Sequence, residues 1–166
     1  TTLRDMGADL TYENMREEGG EPVADLRVRY APLKGIQIPE EFVPLAIDEF
    51  PALFIAAACA EGTTILTGAE ELRVKESDRI ASMARGLDAL GIVNQPTPDG
   101  IRIEGGSMGS ATIETFDDHR IAMSFSMAAL RAQGPIIILD CDHVATSFPG
   151  FADLASGVGL QLDMAL

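Results

Sequence analysis

Leu87-Asp88-Ala89-Leu90-Gly91-Ile92-Val93 reads as the apolar end of a helix, a glycine that stops it, and the first residues of a strand. The phrase recurs as Leu3-Arg4-Asp5-Met6-Gly7-Ala8-Asp9-Leu10 and as Leu154-Ala155-Ser156-Gly157-Val158-Gly159-Leu160-Gln161-Leu162. Glycine just past a helix accepts the left-handed backbone that a side chain resists, so each copy predicts the same helix stop. The copies stand roughly 70 to 84 residues apart, too long for a solenoid repeat and suited to a supersecondary unit of strands and helices used more than once. The reading is α/β (α+β), one incomplete domain over residues 1–166 with no internal boundary, since no low-complexity stretch or Gly/Ser linker interrupts it. The opening copy lacks the start of its helix, and the N-terminus carries neither an initiator Met nor a secretion signal, so excision from a longer chain is expected.

Around these phrases the other elements fall into place. Residues 26–30 alternate with period two and predict a strand, as do the short runs 36–38, 63–67 and 112–116, while 135–139 predicts a buried strand. Residues 43–60 are dense in Ala and apolar side chains and predict a buried helix, with Pro44 or Pro51 in its first turn. Ile80, Met83, Ala84, Leu87 and Leu90 recur at three and four residues and predict a helix over 75–90. Pro98-Asp99-Gly100 is a turn between the strands of a hairpin. A helix is predicted over 118–132 and another from about Pro149; residues 145–150 read as a loop and helix entry capped by Thr146 or Ser147.

Composition narrows the function. Of 166 residues 46% are apolar, enough for a core, and the longest uncharged run, residues 50–60, is too short for the roughly 18 residues a membrane helix requires. Cys59 and Cys141 lack any metal-ligand or CxxC spacing and predict two buried, reduced thiols and a cytoplasmic setting. A formal net charge of −14 disfavours nucleic acid and anionic membranes as partners. An anionic ligand must therefore be caught locally, and four of the 12 basic residues (Arg73, Lys75, Arg79, Arg85) fall in one window of 13.

Three places carry candidate chemistry. If the helix begins near Lys75, Lys75 and Arg79 stand at i and i+4 on one face and at the positive end of the dipole, two small penalties that an anion would relieve. The alternative is that Glu76 and Asp78 neutralise them in an ordinary solvated helix start. Asp117 or Asp118 is a natural N-cap, so His119 and Arg120 fall in a first turn where backbone N–H groups and a guanidinium can grip a carboxylate or phosphate; pairing of Arg120 with a neighbouring carboxylate is the plainer possibility. Asp48-Glu49 interrupts an apolar run, which points either to a helix start or to a functional base. No GxGxxG, P-loop or metal cluster is present in the sequence.

Leu72-Arg-Val-Lys-Glu-Ser-Asp-Arg79, Asp118-His-Arg-Ile-Ala-Met123, Ile47-Asp-Glu49 and Thr146-Ser-Phe-Pro149 resemble, in order and approximate spacing, the 5-enolpyruvylshikimate-3-phosphate synthase family, over essentially the whole chain. The resemblance implies repeated βαβαββ units of an enolpyruvyl transferase domain. It also implies transfer of the enolpyruvyl group of phosphoenolpyruvate to the 5-hydroxyl of shikimate 3-phosphate, with release of phosphate and no cofactor or metal, on the shikimate route to aromatic amino acids. By position, Asp48 matches the base for the 5-hydroxyl and a shikimate 3-phosphate contact, and Glu76 the acid/base group at the methylene carbon of phosphoenolpyruvate. Lys75 matches a substrate-contacting lysine, and Arg79 and Arg120 match phosphoenolpyruvate-binding arginines.

There are departures from the family pattern. Asp117 stands where some members carry Asn, and Thr146 where one branch carries a phosphoenolpyruvate-contacting lysine, a pattern similar to the bacterial branch that includes glyphosate-tolerant enzymes. Only the C-terminal part of the family is matched, so the resemblance implies that the missing N-terminal portion is a partner and that this stretch alone does not turn over. Two competing readings are an enolpyruvyl transferase acting on a nucleotide sugar, which lacks the combination of the two charged motifs, and a non-catalytic binding or interaction module that has kept the fold.

Overall fold

The computed structural model describes residues 1–163. Helix α1 (Thr2–Asp5) leads into the hairpin β1 (Asp9–Glu18) and β2 (Glu21–Arg29), closed by Gly19 and Gly20, both left-handed as a tight two-residue hairpin turn requires. Residues 34–38 then run parallel to β3 (Thr63–Leu66) through two bridges, Lys34 to Glu61 and Gln37 to Ile65, rather than as a regular strand. Helices α2 (Val43–Ala46) and α3 (Phe50–Ala58) lie between them. Helix α4 (Arg79–Ala89) and the hairpin β4 (Asn94–Thr97) and β5 (Gly100–Glu104) complete a βαβαββ unit, with sheet order β3-β5-β4. A second unit opens with β6 (Ala111–Ile113), crosses over through α5 (His119–Ala128) and returns parallel as β7 (Ile136–Ile138), followed by α6 (Asp142–Ser147) and α7 (Phe151–Gly157).

The repeated phrase closes its three helices in one way. Gly7, Gly91 and Gly159 have φ of 96°, 84° and 106°. Ala8, Ile92 and Leu160 each donate a backbone N–H to the carbonyl five residues back, on Leu3, Leu87 and Ala155, at 2.9, 2.9 and 3.0 Å, the bonding of a Schellman stop. In the third copy the stop is Gly159, because Gly157 is still helical, and residues 160–163 form no strand.

Several expected boundaries move, for local reasons. Residues 43–60 are not one helix: Pro51 has no N–H to give Ile47 and its ring crowds that carbonyl, so a 3-10 turn (Ile47–Glu49) separates α2 from α3, and Pro44 and Pro51 each sit in a first turn. The helix expected from 75 begins at Arg79, because the Asp78 side chain accepts from the Ala81 N–H at 3.0 Å and caps it there. Lys75 therefore lies in a loop, and the like-charge pair on one helix face does not arise. Strand β6 ends at Ile113, before the left-handed residues Phe116 and Asp117. Strand β7 is half-buried, with Ile137 exposed. The expected loop at 145–150 is in part helix α6, in which Thr146 and Ser147 form the end and cap nothing. Both cysteines are free and partly rather than fully buried.

Helices α3, α4 and α5 pack on one another over a core that includes Phe50, Phe54, Ile80, Met83, Leu87, Ile121 and Phe125. One close approach is at Gly86 on α4, where a Cβ would stand 2.1 Å from Cζ of Phe125. That contact draws α4 and α5 together, and their first turns with them. Gly86→Ala is expected to lower stability by about 1–3 kcal/mol through overpacking, read as a reduced midpoint in urea, and a Gly86→Ala/Phe125→Leu double variant should recover part of the loss.

Candidate active site

The starts of α3, α4 and α5 meet, and at their meeting point lies Arg79, the first residue of α4 and 1% exposed. A charge so buried is tolerated only when paired and hydrogen-bonded, and three carboxylates supply this. Its Nε donates to Asp118 Oδ2 at 2.9 Å, Nη1 to Asp48 Oδ1 at 2.9 Å, and Nη2 to Glu76 Oε2 at 2.6 Å. The acid of each helix approach is thus tied to one guanidinium: Asp48 from the turn before α3, Glu76 from the loop before α4, and Asp118 from the cap of α5.

Asp118, with no exposed surface, is the residue whose role the sequence did not disclose beyond a choice of N-cap. Its Oδ1 accepts from the Arg120 N–H at 3.0 Å and caps α5, while Oδ2 also accepts from the Ser77 hydroxyl at 3.0 Å. Phe116 and Asp117 reach it with φ of 55° and 59°, a left-handed pair that a bulky residue rarely adopts. The buried Thr115 hydroxyl beneath them lies 3.0 and 2.9 Å from the Leu139 and Asp140 carbonyls. The cue available in the sequence was the pair Asp117-Asp118 before a helix, which offers a cap but gives no sign of the buried arginine opposite.

Around this centre the other cations are more open. Lys75 bonds Glu71 and has its Nζ 3.6 Å from Asp48 Oδ1. Arg120 donates from Nη1 to the Asp48 carbonyl at 2.8 Å and to Glu49 Oε1 at 3.0 Å. Two cations of the basic window turn away: Arg73 fixes its loop to the β4–β5 turn through the Thr97 and Pro98 carbonyls and also pairs with Asp78, and Arg85 lies over the Phe116 ring. His119 has no hydrogen bond or ion pair among those described, and His143 Nε2 lies 3.4 Å from Asp117 at the surface. Asp48, Lys75, Glu76, Arg79 and Arg120, the five residues selected from sequence, are brought together; Asp118, Ser77 and Glu49 are added to them. Among the described residues no group of His, Cys, Asp and Glu could hold a metal ion.

The carboxyls are tuned by these contacts. Burial pushes Asp118 up, but the hydrogen bonds and charge of Arg79, with Ser77 and the Arg120 N–H, outweigh it and hold the group below the usual carboxylate range. Asp48 is likewise lowered: burial opposes, and the charges of Lys75, Arg120 and Arg79 prevail. Arg79 is raised, the cost of its burial outweighed by Asp118, Glu76 and Asp48. A carboxyl depressed in the folded state contributes stability above its unfolded value near 3.9 and loses it as pH falls through the lower folded value. The melting temperature is therefore expected to fall steeply below about pH 4. Asp118→Asn, which keeps a capping oxygen but removes the charge, should flatten that fall and cost about 3–5 kcal/mol at pH 7, measured by thermal unfolding across pH.

Comparison with known proteins places the fold and the family. The fold is that of an enolpyruvyl transferase: the enolpyruvyl transferase NikO from Streptomyces tendae matches 96% of this chain and 34% of its own with a TM-score of 0.64 at 21% identity. Residues 1–154 match the family described as EPSP synthase (3-phosphoshikimate 1-carboxyvinyltransferase), and the chain belongs to that family. It is 65% identical over 163 residues to the 3-phosphoshikimate 1-carboxyvinyltransferase of Methylococcus capsulatus, covering 98% of this chain and 37% of the relative. To that of Alkalilimnicola ehrlichii it is 65% identical over 161 residues, 96% of this chain and 36% of the relative. An EPSP synthase structure from Acinetobacter baumannii matches with a TM-score of 0.96 at 58% identity, over 99% of this chain and 39% of the other. The chain thus spans a little over a third of the length of these relatives.

Proposed function

We propose that this chain forms one wall of the active site of a 3-phosphoshikimate 1-carboxyvinyltransferase. The observation that carries the reading is the convergence of Asp48 and Glu76 on a single buried arginine, with Lys75 and Arg120 at its rim, in a chain of the EPSP synthase family. The reaction joins the 5-hydroxyl oxygen of shikimate 3-phosphate to C2 of phosphoenolpyruvate while C3 gains a proton. C3 then gives up a proton as phosphate leaves, which restores the enol. Two groups with different tasks are needed, one to take the hydroxyl proton and one to serve the carbon.

Asp48 is the proposed base. Its carboxyl is depressed by three cations, so it is ionised at neutral pH and open to a substrate hydroxyl. Glu76, half-exposed on the other arm of the same guanidinium, is the proposed proton carrier at C3. Lys75, Arg79 and Arg120 receive the anionic ends of the two substrates and offset charge as it develops. Arg79 does so as Asp48 or Glu76 lets go of an Nη, while its Nε stays on Asp118. No cofactor is required by this chemistry.

The remainder of the enzyme is the partner that would close the cleft, exclude water and fix two polyanions against these residues. A cytoplasmic setting is part of the proposal; no helix of the described residues is long and apolar enough to cross a membrane.

The test is phosphate release from phosphoenolpyruvate and shikimate 3-phosphate by this chain, alone and mixed with the separately produced remainder. Release only on mixing is the expected result. In the complete enzyme, Asp48→Asn and Glu76→Gln should each lower kcat by about 10²–10⁴-fold, with smaller changes in KM. Absence of release with both parts folded and associated would favour a non-catalytic module.

A further inference from the structure

The cations of the site are held by two kinds of ion pair. Arg79 and Asp118 are 1% and 0% exposed and cannot part without leaving a buried charge unpaired. Arg120 is one-third exposed, and its carboxylate partner Glu49 is 67% exposed. One nitrogen, Nη1, makes both of the described side-chain hydrogen bonds of Arg120: one to the Asp48 carbonyl at 2.8 Å, one to Glu49 at 3.0 Å. The carbonyl belongs to backbone fixed in the turn before α3, and the carboxylate ends an open side chain.

From this asymmetry we infer that Glu49 sets the affinity of the site: its carboxylate occupies Arg120 in the empty enzyme and yields to the anionic group of the substrate. The inference rests on Arg120 being a substrate-binding arginine. An exposed pair is favoured only weakly over its separated form, because side-chain entropy and solvent screening offset the attraction. A carboxylate or phosphate that meets the planar edge of the guanidinium with two oxygens binds more strongly than a single tethered oxygen. The Asp48 carbonyl keeps its hydrogen bond throughout, so Arg120 and the backbone of the proposed base stay in register while Glu49 exchanges. Glu49 is not a catalytic residue in this account; it competes with the substrate for one donor. If Glu49 instead oriented Arg120 for binding, its removal would weaken anion binding, so the two roles differ in sign.

The experiment uses the complete enzyme as wild type, Glu49→Gln and Glu49→Ala, and measures KM for phosphoenolpyruvate together with Kd for inorganic phosphate by calorimetry. Both variants are expected to lower both constants by about two- to fivefold at low salt, with the difference shrinking at high salt. Unchanged or weaker binding of both anions overturns the inference. Tighter phosphate binding in an enzyme that releases no phosphate from phosphoenolpyruvate would support Glu49 as a competitor while refuting the proposed reaction. Turnover with unaltered or weakened binding would overturn the Glu49 role alone.

Discussion

A guanidinium sealed from water cannot stand without counter-charges, and the three carboxylates that serve Arg79 come from three separate approaches to helices. Satisfying this one group fixes where α3, α4 and α5 begin relative to each other. The exchange is mutual, because Asp118 is as deeply buried as its partner and depends on Arg79, Ser77 and the first turn of α5 for all its bonds. Ion pairs of this kind are weak evidence for stability as such, since an apolar substitute of similar volume is often as stable. Their consequence here is positional: the pair holds Asp48 and Glu76 on adjacent nitrogens of one planar group.

The repeated unit brings these starts together. Helices α1, α4 and α7 end on a left-handed glycine with the same backbone bond to the carbonyl five residues back, and α4 leaves that stop into an antiparallel hairpin. Close packing of the Phe125 ring of α5 on Gly86 brings α5 against the backbone of α4. In an acidic chain, Lys75 and Arg120 thereby rim a centre in which one guanidinium meets three carboxylates. The division of labour follows from burial: the deep pair is permanent, and the shallow pairs are exchangeable.

Much of this was legible in the sequence where a local rule governs. The glycine stops, the β4–β5 hairpin and the apolar stripe of α4 depend on neighbours within a few residues, and periodicity and turn chemistry expose them. Five charged residues were drawn to one site because a motif resemblance carried their positions, and the folded chain brings all five together. The apolar stripe does not locate the start of α4, which the Asp78 cap sets. Apolar density over 43–60 suggests one helix, but Pro51 divides it. The role of Asp118 was not legible, because its partner Arg79 lies 39 residues away and no local pattern announces a contact of that range. For the same reason the sequence gives no sign that each of the three nitrogens of Arg79 bonds a carboxylate of the protein itself.

The most direct test of Arg79 as the organising centre is its own side-chain signal: the Nε–H of Arg79 in the nitrogen-15 spectrum of the complete, unliganded enzyme, assigned by loss in Arg79→Lys. The account predicts a single signal protected from exchange with water, and loss of that protection in Asp118→Asn but not in Glu49→Gln. A signal that exchanges as fast as those of surface arginines, or one that Asp118→Asn leaves unchanged, would contradict it.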